Sequence, residues 1–231
     1  MEMEQPVDGV SRVLDRDGFA VVADGLVADD PTLAAVVADH GMPPFWSRPP
    51  GFRSLVLLIL EQQVSLASGA AAYRRLRDRV RTVTPVAVLA CSPEDLRADG
   101  ISRQKDRYLR ALAEAVEGGD LDLDALEWLD DDAVRRALIA LPGIGPWTAD
   151  VYLLACLGRP DLWPVGDRAL QVAAAEALGL TAVPDPPSLE TLGERWRPHR
   201  STAARILWHG YLGRRGRVET PGDLLDDLDL G

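Results

Sequence analysis

Cysteine and long apolar runs are both scarce in this 231-residue chain, and each scarcity excludes a class of protein. The only two cysteines, Cys91 and Cys156, stand far apart on segments with helical patterning, so they indicate neither a disulfide framework nor a zinc site. The longest aliphatic run, residues 55–60, is far too short to cross a bilayer. The acidic, polar N-terminus lacks the pattern of a signal peptide. These absences predict a globular, cytoplasmic protein.

Lysine is nearly absent, and the basic charge is unevenly placed. Lys105 is the only lysine, and the formal net charge of −11 argues against nucleic-acid binding, because phosphate neutralisation supplies most non-specific affinity. The arginines, however, concentrate in residues 195–217, which contain no acid, and in residues 74–81. The acidic residues concentrate in three other places: before residue 40, at residues 120–132 and at residues 219–229. The arginines form either solvated helix faces or one nucleic-acid-facing side, and both interpretations stay open.

Helical signals dominate what the chain does contain. A proline-rich linker at residues 41–51 cannot be regular, and only residues 18–22 have a strand-like pattern. Capping residues, breakers and apolar spacing predict helices at about residues 31–40, 52–62, 66–80, 103–117, 131–140, 147–157, 168–178, 188–196 and 198–212, with short helices after Pro85 and Pro93. The predicted fold class is therefore all-α.

A glycine-rich hairpin separates two of these helices, in the sequence LPGIGPWTA at residues 141–149. Glycine at positions 143 and 145 permits positive φ and close approach of another backbone. The unpaired amides at the start of the next helix, together with the helix dipole, favour an anion, and a phosphodiester fits such a site without its sequence being read. An ordinary helix–turn–helix connection with glycine stop signals explains the segment equally well.

An aspartate stands twenty residues after Trp147, at position 167. Pro164 and Gly166 break the chain before it, and an apolar-periodic segment follows, so Asp167 is predicted to be a helix N-cap. It is either a cap and nothing more, or a cap whose carboxylate the helix dipole keeps ionised, ready to face a positive charge developing on a substrate.

Four sequence blocks together resemble the helix–hairpin–helix DNA glycosylase superfamily, most of all its 3-methyladenine DNA glycosylase II branch. The blocks are LILEQQVS at residues 58–65, GISRQK at 100–105, the hairpin with Asp167, and ERWRPHRS at 194–201. The resemblance implies two helical lobes, a helix–hairpin–helix motif and an interlobe cleft that holds an extruded nucleotide. It predicts an N-terminal extension with a possible β remnant at residues 1–25, a terminal lobe of residues 26–50 and 160–231, and a central lobe of residues 51–159.

The chemistry implied by this resemblance is hydrolysis of the N-glycosidic bond of an alkylated purine flipped out of double-stranded DNA, in base excision repair. Asp167 would stabilise the positive charge left on the sugar and orient or deprotonate the attacking water. Trp147, Trp208 and Trp46 would supply aromatic faces of the base pocket, although Trp147 and Trp208 are also at spacings typical of core residues. Trp147 stands where strand-cleaving relatives have a lysine that forms a Schiff base, which predicts a monofunctional enzyme.

The resemblance also implies DNA contacts and a possible metal ion. The implied DNA-binding residues are Gln62, Gln63, Gly143, Gly145, Thr148 and Arg200. Gln63 falls where the branch often has a leucine wedge, and Gln62 beside it would contact the opposite strand or a base edge, or be a buried amide. The backbone carbonyls of Leu141 and Ile144 would hold a monovalent cation, K⁺ or Na⁺.

The resemblance further predicts a monomer, and no iron–sulfur cluster, since the chain lacks the four cysteines of such a cluster. Two alternatives remain. One is a glycosylase of the same fold for deaminated or oxidised bases, and the other is a non-catalytic DNA-binding module that kept the hairpin. The presence of Asp167 at the matching position argues against the second.

Overall fold

The computed structural model describes residues 13–217, and within this range all regular structure is helical. The helices are α1 Arg16–Asp29, α2 Pro31–His40, α3 Phe52–Glu61, α4 Leu66–Val80, α5 Pro85–Ala90, α6 Pro93–Ala98, α7 Arg103–Glu117, α8 Asp131–Ile139, α9 Pro146–Ala155, α10 Arg168–Leu178, α11 Pro186–Gly193 and α12 Arg200–Arg214. Two 3₁₀ turns cover Ala125–Trp128 and Glu194–Trp196. The predicted all-α class is confirmed. None of the helices between residues 13 and 217 combines the length and apolar composition needed to cross a bilayer.

Side-chain caps explain why the predicted helix starts agree with the structure. Asp30 accepts hydrogen bonds from the backbone of Thr32 and Leu33 at the start of α2. Ser65 does the same for α4, and Ser92 and Asp95 form a reciprocal capping box on α6. Each of these caps satisfies amides that a helix N-terminus leaves unpaired, so the local sequence determines where the helix begins.

The strand-like reading of residues 18–22 is wrong, because they lie in the first half of α1. The Asp15 carboxylate accepts a hydrogen bond from the Gly18 amide at 2.7 Å and starts the helix. Phe19 and Ala23 lie four residues apart on the same helix face, and both are buried. The apolar pattern that indicated a strand is therefore one stripe of a helix. The predicted β remnant is wrong for residues 16–25, and the first twelve residues lie outside the described range.

The chain divides into two compact units. The first contains the described residues up to Trp46 and from Gly158 onward, and α12 packs there against α1, α2 and α10. The second runs from Ser47 to Leu157. Its central element is α3, whose residues 54–60 are all buried and which packs against α4, α7 and α9. The sequence analysis placed the lobe boundaries after residues 50 and 159, and its assignment of lobes stays a prediction.

Candidate functional site

Each unit contains one group of the predicted site residues. The second unit carries the hairpin between α8 and α9, and its two glycines have different roles. Gly143 has φ +87°, and a Cβ there would lie only 2.1 Å from the Tyr108 ring, so the fold itself requires glycine. At Gly145 φ is −99°, and an added Cβ would meet no atom within 4 Å. The fold therefore does not explain why residue 145 is glycine.

The start of α9 is suited to an anion. Gly145 is its N-cap, Pro146 occupies the first turn, and no side chain among the described residues caps it. A helix N-terminus without a side-chain cap has amides and a dipole end available to an external acceptor. Because Gly145 also leaves open space, a phosphate group can approach these amides without a steric obstacle.

Gln62 is hydrogen-bonded to this hairpin. Its Nε2 donates to the Gly143 carbonyl at 2.8 Å and to the Thr148 hydroxyl at 3.0 Å. Both amide hydrogens are thus used inside the protein. Just before it, Glu61 forms a buried two-point ion pair with Arg48, at 2.8 and 2.9 Å. The DNA contacts of Gln62 and Thr148 stay predictions, and the structure adds a structural role for both side chains.

Gln63 and Val64 protrude from the turn between α3 and α4. Gln63 adopts φ +58°, a left-handed conformation that is uncommon for a residue other than glycine. Its side chain is exposed, and Val64 is 47% exposed. The wedge role of Gln63 stays a prediction, and Val64 is an apolar residue beside it that the sequence analysis missed. The sequence feature that could have identified Val64 is a β-branched residue in an otherwise polar turn.

Two further predictions concern the hairpin region. Trp147 is half-buried in the first turn of α9, and its place in a base pocket stays a prediction. The Leu141 carbonyl accepts the Ile144 amide at 3.2 Å, so it has one remaining lone pair for a cation. Across residues 13–217 no group of three or more His, Cys, Asp and Glu side chains is arranged to hold a metal ion.

In the first unit, Asp167 is the N-cap of α10, as predicted. Its Oδ1 accepts the Leu170 amide at 2.7 Å. The same oxygen accepts the indole N–H of Trp208, on α12, at 3.1 Å. The sequence analysis assigned Trp208 to a base pocket and missed this hydrogen bond, which joins residues 41 positions apart. Two donors from different helices thus orient the Asp167 carboxylate.

Trp208 also contacts Trp46, and a buried arginine lies behind this pair. The two indole rings are tilted by 47°, with centroids 5.9 Å apart. The Arg205 guanidinium lies 5.1 Å from the Trp46 ring and 5.2 Å from the Phe45 ring, at cation–π distance from both. Burial lowers the pKa of Arg205 to about 9, so it remains a cation at neutral pH. Arg205 therefore positions the irregular segment that carries Trp46.

The arginine-rich segment 195–217 is largely neutralised by acids from elsewhere in the first unit. Arg200, whose side chain is only 8% exposed, binds Asp161 and Glu190, each at 2.9 Å. The other pairs are Arg195 with Asp30, Arg197 with Asp161 and Glu194, and Arg214 and Arg215 with Glu176. Arg200 is thus held in internal ion pairs, and its predicted DNA contact stays a prediction. The segment as a whole is not a free basic face.

Comparison with known proteins identifies the family of the chain. The model of the HhH-GPD superfamily base excision DNA repair proteins matches residues 56–198. The chain is 34% identical to a probable bifunctional transcriptional activator/DNA repair enzyme AlkA of Mycobacterium tuberculosis, over 84% of this chain and 40% of the relative. It is 27% identical to the putative DNA-3-methyladenine glycosylase YfjP of Bacillus subtilis, over 77% of this chain and 64% of the relative. It thus spans less than two thirds of either relative.

Solved structures agree in fold. A DNA-3-methyladenine glycosidase from Bacillus halodurans superposes with a TM-score of 0.69 at 32% identity, covering 89% of this chain and 95% of the other. The 3-methyladenine DNA glycosylase Mag1 of Schizosaccharomyces pombe, in complex with abasic DNA, gives a TM-score of 0.75 at 24% identity, covering 81% and 95%. The chain belongs to the HhH-GPD superfamily of base excision DNA repair proteins.

Proposed function

We propose that this protein is a monofunctional DNA glycosylase that flips alkylated purines out of double-stranded DNA and hydrolyses their N-glycosidic bonds. The observation that carries the proposal is the Asp167 carboxylate, held at the N-terminus of α10 by the Leu170 amide and the Trp208 indole. The relatives named as 3-methyladenine glycosylases support the same reaction class.

The chemistry needs little more than one oriented carboxylate. When the base departs, positive charge develops on the sugar, as in other glycoside hydrolyses. A fixed negative charge stabilises that transition state, and the same group can orient or deprotonate the attacking water. Because both donors bind Oδ1, they hold the carboxylate plane in one orientation. Preorganisation of this kind avoids reorganisation during the reaction.

Alkylated purines suit the aromatic residues around Asp167. A purine alkylated at a ring nitrogen is already cationic and leaves readily, so a dedicated general acid is unnecessary. Trp208 adjoins both Asp167 and Trp46, and each aromatic contact with a cation contributes about 0.5–2 kcal/mol. Since Arg205 already contacts the Trp46 ring, Trp208 is the stronger candidate for contacting the base. Trp147, on α9, stays a separate proposed base-pocket residue.

The hairpin would bind the DNA backbone without reading its sequence. Gly145 leaves room for a phosphate at the start of α9, and the Leu141 and Ile144 carbonyls would hold K⁺ or Na⁺ there. Gln63, with Val64 beside it, would fill the space that the extruded nucleotide leaves in the duplex. The partner is double-stranded DNA containing a damaged base, and the protein would act as a monomer.

The decisive experiment measures release of free base from defined duplexes. We expect 3-methyladenine or 7-methylguanine to be released faster than uracil, hypoxanthine, 8-oxoguanine or ethenoadenine. The Asp167→Asn variant should lose base release by about 10²–10³-fold, since the amide keeps the shape and much of the cap but not the charge. Its melting temperature and duplex affinity serve as controls and should stay close to those of the unaltered protein.

Three outcomes would count against parts of this proposal. Unimpaired base release by Asp167→Asn would remove Asp167 from the mechanism. Faster release of a deaminated or oxidised base would move the protein to the alternative lesion class. Duplex binding with no release from any substrate would make it a non-catalytic binding module.

A further inference from the structure

A small pocket opens on the surface of the second unit, beside the start of α4. Its volume is about 310 Å³. Its walls include Val64, Ser68, Ala71, Arg75, Gly100 and Lys105. The small side chains of α4 leave the space open, and the pocket belongs to neither the hairpin nor the Asp167 cluster.

Two cations in this pocket have only neutral hydrogen-bond partners. Arg75 Nε donates to the Asp99 carbonyl at 2.7 Å, and Lys105 Nζ donates to the Leu60 carbonyl at 2.6 Å. Within residues 13–217 neither forms an ion pair with a carboxylate. Arg79, one turn further along α4, instead pairs with Asp95 and Asp99. The nearest carboxylate that acts on Lys105 is that of Glu61, which is engaged in the ion pair with Arg48, so the pocket concentrates positive charge.

Both cations retain hydrogen-bonding capacity. A lysine ammonium has three donor hydrogens and an arginine guanidinium has five, while each of these groups uses one in the bonds above. Partial burial lowers the pKa of Lys105, while the Glu61 carboxylate acts in the opposite direction. An oxyanion in the pocket would accept these hydrogens and restore the lost solvation.

Gly100 keeps this arrangement possible. It has φ +84°, and an added Cβ would lie 2.7 Å from an Arg75 guanidinium nitrogen. Any other residue at position 100 would thus be strained and would displace the arginine.

The surroundings favour a DNA phosphate over a free one. The pocket adjoins a second pocket of about 250 Å³, with which it shares Val64, Gly100 and Lys105. Gln63 and Tyr108 line this second pocket, and the Tyr108 ring is the surface on which Gly143 of the hairpin packs. The cationic pocket, the protruding turn and the hairpin are therefore linked by direct contacts within one unit.

We propose that Arg75 and Lys105 bind a backbone phosphodiester of DNA, at a second phosphate site separate from the hairpin. This inference rests on the proposed function, because it requires DNA as the ligand.

The test measures duplex affinity across a salt series, by fluorescence anisotropy with a duplex carrying an abasic analogue. Arg75→Gln should weaken binding and reduce the slope of log K against log salt by about 0.9, the value for one phosphate contact. Arg74→Gln is the matched control, because it removes the same charge from the adjacent position of α4 outside the pocket. Equal slopes for the two variants would overturn the proposal.

A second variant guards against a folding artefact. Ala71→Glu places a carboxylate in the pocket, four residues before Arg75 on α4, where it competes with a phosphate for the retained cations, and we expect it to weaken duplex binding. Ala67→Glu, on the exposed surface of α4, is its control. Equal affinities for these two variants, with melting temperatures unchanged, would also overturn the phosphate site.

Two further measurements distinguish failure of the phosphate site from failure of the proposed function. If inorganic phosphate alone raises the melting temperature of the unaltered protein but not of Arg75→Gln, while the DNA salt slope is unchanged, the site takes free phosphate and the proposal is wrong. Base release at saturating enzyme reports on the proposed function by itself. A protein that shows the predicted slope difference but releases no base would refute the glycosylase and keep the site.

Discussion

At the scale of single residues, the hydrogen bond between Trp208 and Asp167 gives Trp208 a second role besides stacking on the base. A ring that only stacked on the base would serve equally well as phenylalanine. A ring whose N–H donates to the Asp167 carboxylate at 3.1 Å cannot be replaced by phenylalanine without loss of that hydrogen bond. Trp208 is thus a positioning residue for Asp167 as well as a candidate pocket wall.

The variant Trp208→Phe separates these two roles. It keeps an aromatic face but removes the donor, and a hydrogen bond to a charged group contributes about 1.5–3 kcal/mol. We expect single-turnover base release to fall at least about tenfold, with duplex affinity little changed. Trp128→Phe, at an exposed indole of the second unit, is the matched control. Release by Trp208→Phe at the rate of the unaltered protein would show that Trp208 acts only through its ring.

At the scale of one element, the hairpin contains two glycines whose surroundings in the structure differ. Gly143 is required by its positive φ and by the Tyr108 ring packed against it. Gly145 has an ordinary φ and open space around it. Gln62 then ties the hairpin to the end of α3, so its geometry does not depend on residue 145.

Alanine at each glycine should therefore give opposite results. Gly143→Ala should lower the free energy of unfolding by at least about 1–3 kcal/mol, the range for a strained backbone conformation, with the Tyr108 clash in addition. Gly145→Ala should leave the melting temperature almost unchanged but weaken binding to an abasic-analogue duplex. Thermal melting and anisotropy check both. If Gly145→Ala binds as tightly as the unaltered protein, the hairpin does not hold a phosphate.

At the scale of the whole molecule, the arrangement of charge matters more than its sum. The net charge is −11, and the longer arginine-rich segment, residues 195–217, is largely paired internally with Asp30, Asp161, Glu176 and Glu190. Cations available to DNA are then few, which predicts a modest, salt-sensitive affinity whose salt slope corresponds to a small number of phosphate contacts.

The lysine content of the whole chain predicts the DNA product of the reaction. Lys105 is the only lysine, and its Nζ donates a hydrogen bond to the Leu60 carbonyl. Without an amine at position 147, no Schiff base should form there. We expect an intact abasic strand that is nicked only after alkali or heat, and no adduct after borohydride treatment. A trapped enzyme–DNA adduct that disappears in Lys105→Met would contradict the monofunctional mechanism.

The sequence by itself determined the helices and the cap at Asp167, because these depend on residues only a few positions apart. Asp30, Ser65, Ser92 and Asp167 satisfy amides in their own first turns, so local chemistry predicts where those helices start. The one wrong element, residues 18–22, was a short apolar run for which periodicity cannot separate helix from strand.

Only the tertiary structure decided which polar side chains are free to bind a ligand. The sequence predicted DNA contacts for Arg200 and Gln62. It could not show that Arg200 forms ion pairs with Asp161 and Glu190, or that Gln62 donates both amide hydrogens to Gly143 and Thr148. Arg75 is the opposite case. Its sequence context is an ordinary charged helix, and only the structure shows that it lines a pocket. Such pairings join residues 10–86 positions apart, and neither propensity nor periodicity contains information over that range.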